Sequence, residues 1–166
     1  MGKDANVARN PLNVLKRSLM ETEILANLID DKYGVLTQLR QLARRQVDII
    51  HQGDTSQLLN LLAVKQTVLT QLQNIEKQLD PFRSQDPDRR QWKSPPHRQR
   101  ARDAATRCES LLNEIMLMER QCESELVRQR DDVAEQLQGL HVVAQAANAY
   151  AQPMPAHRQL DLSSEQ

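Results

Sequence analysis

The chain has 166 residues, with 22 basic and 22 acidic side chains that cancel to zero net charge. Only 39% of it is hydrophobic and 2% aromatic, and it holds four glycines. That composition excludes a β-sandwich or barrel and a Gly-loop α/β enzyme, argues against broad electrostatic capture of nucleic acid or anionic membrane, and points to long Leu/Gln/Glu/Arg-rich helices.

Residues 1–11 are polar, end in Asn10-Pro11, and read as a flexible N-terminal tail. They show no apolar signal segment, and Asn6 stands where a myristoylation pattern needs Ser or Thr. A first helix is predicted over 12–51. Its apolar pairs Leu28/Ile29, Val35/Leu36, Leu42/Ala43 and Ile49/Ile50 follow one another by seven residues, which is a heptad seam. Gly53-Asp54 then reads as a helix stop followed by an N-cap, with Gln57 as the capping-box partner. The link is so short that the first two helices must be antiparallel neighbours.

The second helix is predicted over 55–80. Leu61, Val68 and Ile75 repeat by seven, as do Leu58, Leu72 and Leu79 around Lys65. Pro81 is expected to end it. Residues 81–97 read as a basic, Pro-rich linker that is either disordered or a functional loop. From Arg83 to Arg107 there are eight Lys/Arg against three Asp, a net +5. The third helix is predicted over 98–150, with a stripe through Cys108, Leu111, Ile115, Cys122, Leu126, Val133, Leu137, Leu140 and Ala147. From Cys108 to Tyr150 its charge is −5. Residues 151–166 carry two prolines and read as a disordered C-terminal tail. The expected fold is all-α: an elongated antiparallel three-helix bundle or coiled coil with a long C-terminal helix.

Helix lengths add a further expectation. The second helix is about half as long as the third, so residues 100–125 should complete a three-helix end. Residues 126–150 are then expected to pair with the first part of helix one. A two-helix pair cannot cover both stripes, so Leu126, Val133, Leu137, Leu140, Val143 and Ala147 should keep apolar surface for a partner. A helical client or a second copy of the chain would fit equally well. Tyr150 closes an Ala-rich helix end and is a candidate anchor.

Catalytic signals are lacking. Four scattered glycines build no phosphate loop, and no His or Cys pair has metal-ligand spacing, so no catalytic residue, cofactor or metal is expected. Cys108 and Cys122 on one helix would stand about 21 Å apart at ~1.5 Å per residue, too far for a disulfide, which fits a reducing compartment. Around Trp92, the basic Arg89, Arg90, Lys93, Arg98 and Arg100 could bind single-stranded nucleic acid by charge and stacking. The plainer reading is a loop that contacts an acidic partner or neutralises the chain's own acidic helix.

Three features together resemble the flagellar type III export chaperones of the FlgN kind. They are the Gly53-Asp54 turn followed by Leu58, Leu61 and Leu62; the run Val64-Lys65-Gln66-Thr67-Val68-Leu69-Thr70-Gln71-Leu72; and a long last helix ending in small residues and Tyr150. The resemblance spans about residues 12–150. It implies a cytoplasmic, non-catalytic helical protein that keeps hook-associated proteins soluble by covering their terminal helical region. It further implies client binding by the C-terminal helix and contact of Tyr150 with the cytoplasmic domain of the export gate. A homodimeric coiled-coil adaptor is the alternative.

Overall fold

Gly53 adopts φ 70°, the left-handed conformation that ends a helix without steric cost. Its N–H reaches back to the Ile50 carbonyl at 3.1 Å. The next residue caps the following helix. Asp54 Oδ1 accepts from the Gln57 N–H at 2.9 Å, and Oδ2 accepts from the Gln57 side-chain amide at 2.8 Å. These bonds, the backbone one foremost, hold the Asp54 carboxyl below the usual carboxylate range. Stop and start thus lie where the sequence places them.

The computed structural model describes residues 11–151. The expected tails at 1–11 and 151–166 fall almost wholly outside those residues. Three helices account for most of what is described: α1, Pro11–Gln52; α2, Thr55–Arg83; and α3, Pro95–Ala151. A single 3-10 turn, Pro87–Arg89, lies between α2 and α3. No strand occurs among the described residues. The fold is the expected all-α bundle with a long last helix.

Two boundaries differ from expectation. Pro81 does not stop α2, which runs on to Arg83. A proline costs a helix one N–H and a steric clash, but near the last turn few bonds remain to lose. Side chains then satisfy the exposed carbonyls. Ser84 Oγ donates to the Pro81 carbonyl at 3.2 Å, and the Arg90 guanidinium donates to the Phe82 carbonyl. At the other end, α3 starts at Pro95. Pro95 and Pro96 occupy first-turn positions whose N–H groups would have no helical partner anyway. Ser94 Oγ accepts from the His97 N–H at 3.3 Å. The link between α2 and α3 therefore shrinks to residues 84–94.

The chain divides into two compact units, Met1–Glu125 and Leu126–Gln166. In the first, α1 and α2 are antiparallel. Leu25 and Leu28 meet Leu79, Lys32 pairs with Glu76 at 2.6 Å, and Gln46 meets Lys65. The N-terminal part of α3 lies against both. Leu36, Leu39, Val68, Cys108, Leu111 and Ile115 form the main core cluster. Leu36 and Leu39 are the most completely buried large side chains. On α3, Ala101, Cys108, Ile115 and Cys122 step by seven and all are buried, as a coiled-coil seam requires. Both cysteines are free, and burial is the first cause that raises each thiol above its ordinary value.

The direction of α3 corrects one expectation. Cys108 Sγ sits 3.7 Å from the Ile29 carbonyl, Arg44 donates to Glu114 at 2.9 Å, and Gln46 to Glu119 at 3.5 Å. Numbers rise together along both helices, so α3 is parallel to α1. Antiparallel to α2 means parallel to α1, and the pairing of residues 126–150 with the first part of helix one does not follow. Of residues 126–151, all but Gln129 are exposed.

Candidate interaction surfaces

The second unit is described only as the C-terminal stretch of α3. Leu126, Val133, Leu140 and Ala147 step by seven, and so do Val143 and Tyr150. Leu137 sits four residues after Val133. Such spacing puts these side chains along one helical stripe, drifting by only ~20° per heptad. The five leucines and valines of this set that were predicted as client-binding are 38–67% exposed, and Tyr150 is 92% exposed. Ala147 is exposed as well. Soluble proteins rarely leave such a continuous apolar row in water without a partner for it. Acidic and basic residues occupy the flanks, including an Arg130–Asp131 pair at 2.7 Å.

The linker residues separate into two groups. Arg89 and Lys93 are exposed. Arg90 and Trp92 are half-buried and serve the fold. Arg90 caps the carbonyl end of α2, as described above. Trp92 packs on the Leu25, Leu28 and Leu79 cluster and meets the His97 ring edge-on, with centroids 5.5 Å apart. The loop is tied down further by Thr22, whose hydroxyl donates to the Gln91 carbonyl at 2.9 Å, with the Leu19 carbonyl an alternative acceptor at 3.0 Å. Half-buried on these Leu residues, Trp92 is poorly placed to stack on bases.

A third feature lies outside the residues that spacing alone marks as sites. Lys65 is buried, with 7% of its surface exposed, in the layer where the three helices meet. Its ammonium donates to Gln46 Oε1 at 2.8 Å and pairs with Glu119. Gln46 Nε2 closes the triangle on Glu119. The signal for it is present in the sequence: Lys65 interrupts the Leu58/Leu72/Leu79 row, and Gln46 stands seven residues after Leu39, where that row would place another apolar residue. A buried polar layer of this kind fixes helix register.

Nearby, Glu114 accepts from Arg44 and Arg40, and the Arg44 bond is the first cause that lowers its carboxyl below the ordinary value. Among the described residues no group of three or more His, Cys, Asp or Glu side chains could hold a metal, and no helix is long and apolar enough to cross a membrane. Comparison with protein families, with curated proteins and with solved structures returns no match.

Proposed function

We propose that the chain is a non-catalytic export chaperone of the FlgN-like kind, acting in the cytoplasm on flagellar hook-associated proteins. The observation that carries this reading is the exposed heptad stripe Leu126, Val133, Leu137, Leu140, Val143 and Ala147 on the last helix. An amphipathic helix with its apolar face in water is suited to pair with a client's helix, which buries its own stripe in return. Each large side chain covered is worth about 1.5–3 kcal/mol. Tyr150 at the end of the same stripe is the residue this reading assigns to the export gate.

The test is co-elution of the purified chain with hook-associated proteins, one at a time. Val133→Asp and Leu137→Asp lie at exposed positions and should abolish the complex and the client's export while leaving helicity intact. Tyr150→Ala should leave the complex and reduce delivery. If no hook-associated protein co-elutes and export is unchanged by both aspartates, the reading fails. Light scattering that shows a tight dimer broken by the same two substitutions would favour the coiled-coil adaptor.

A further inference from the structure

Between the start of α3 and the middle of α1 lies a hollow of about 180 Å³. Its floor is apolar and includes Leu25, Ile29 and Trp92, while Arg90, Arg98 and Arg102 line it as well. We propose that this hollow is a docking site for an acidic peptide segment, one apolar side chain entering it and a neighbouring Asp or Glu held by the arginines. It involves none of the residues of the α3 stripe and does not depend on the chaperone reading.

Charge complementarity names the occupant. The surrounding stretch, Arg83 to Arg107, carries a net +5. The three guanidinium groups differ in how far they are already engaged. Arg102 is exposed and forms no ion pair among the described residues. Arg98 pairs with Asp88 at 3.1 Å, but both partners are solvent-exposed, and such a weak pair exchanges readily for another carboxylate. Arg90 is already engaged by the Phe82 and Gln85 carbonyls and adds its positive charge to the lining. Guanidinium forks are the side-chain geometry that suits carboxylates.

The floor decides against a polynucleotide. Trp92 is half-buried against Leu25, Leu28 and Leu79 and meets His97 edge-on, so part of its ring is already taken up by the fold rather than free for base stacking. A hollow of this volume takes one large apolar side chain. A carboxylate next to such a side chain therefore matches both the lining and the charge, and a phosphate backbone matches only the charge.

The experiment uses the full chain and three probes: the dye-labelled peptide Glu-Phe-Glu-Leu-Glu, the charge-matched Glu-Ser-Glu-Ser-Glu, and a short oligothymidylate. Binding is read by probe anisotropy and by emission of the sole tryptophan, Trp92. The apolar acidic peptide should bind saturably, shift Trp92 emission and weaken with added salt. Arg98→Ser with Arg102→Ser should lower its affinity about tenfold, and the corresponding Lys pair should recover part of the loss. Leu137→Asp should leave binding unchanged. Should the serine pair disturb folding, Ala105→Glu, which places a like charge on the lining of the hollow, gives the same comparison. Equal binding of the serine peptide, equal or stronger binding of the oligothymidylate, indifference to the arginine changes, or no saturable binding would each overturn the proposal.

Discussion

Lys65 and Glu119 form one ion pair whose two ends are not equivalent. Lys65 is 7% exposed, whereas the Glu119 side chain keeps 36% of its surface in water. Removing Glu119 leaves a buried cation with only the Gln46 amide for company. Removing Lys65 leaves a carboxylate that water can solvate. Glu119→Ala should therefore destabilise by about 3 kcal/mol, the low end for an orphaned buried charge. Lys65→Met, which also keeps the packing volume, should cost less and could be neutral. Urea unfolding of the two variants checks the order. Equal losses would mean that Lys65 reaches water.

Two carboxylates set the acid limit at the same scale. Asp54 and Glu114 both have folded values below their ordinary 3.8 and 4.5, through the Gln57 bonds and through Arg44 and Arg40. A depressed acid stabilises the fold at pH above its unfolded value and loses that contribution as pH falls through the folded one. Stability should thus be flat at neutral pH on account of these groups and decline below about pH 4.5. Asp54→Asn with Glu114→Gln should flatten that decline in a pH series of melting temperatures.

At the scale of elements, the glycines of α1 and its turn give opposite expectations. Gly53 has φ 70°, and a side chain there is strained whatever the space around it. Gly53→Ala should destabilise by about 1 kcal/mol. Gly34 lies inside α1, and an added Cβ would meet nothing within 4 Å. Gly34→Ala should stabilise by up to about 1 kcal/mol by restricting the unfolded chain and improving helix propensity. Thermal melts of the two variants should move in opposite directions.

Much of this level was legible in the residues themselves. The heptad rows of α1 and α2, the Gly53 stop and the Asp54–Gln57 cap follow from spacing and side-chain chemistry alone. Pro81 fails to stop α2 because the carbonyls of Pro81 and Phe82 are satisfied by Ser84 and Arg90, the latter nine residues downstream of Pro81. The structural role of Trp92 is invisible to spacing because the Leu25 and Leu79 it packs on are far away in sequence. The stripe of 126–150 is exposed for a different reason from the expected two-helix pairing, since α3 runs parallel to α1. Spacing alone groups Arg90 and Arg98 with Trp92, but Arg102 and the hollow itself appear only once Leu25 and Ile29 complete the lining from another helix.

At the scale of the whole molecule, the unequal burial along α3 carries the argument. Ala101, Cys108, Ile115 and Cys122 are buried, whereas Leu126, Val133, Leu140 and Ala147 are not. A helix without tertiary packing draws its stability only from propensity and local pairs, which is marginal in water. Gly139 weakens that stretch by a further ~1 kcal/mol. Amides of residues 126–151 should therefore exchange with deuterium much faster than those of 101–122, whose protection follows unfolding of the first unit. A chain ending at Arg130 should melt within ~0.5 kcal/mol of the full chain, because the exposed residues removed bury little. The same truncation should abolish capture of a hook-associated protein. Conversely, saturating client should slow exchange across 126–151 and leave 101–122 nearly as before. Protection that rises instead only in the first unit would place the client on the bundle and leave the exposed stripe without the role proposed for it.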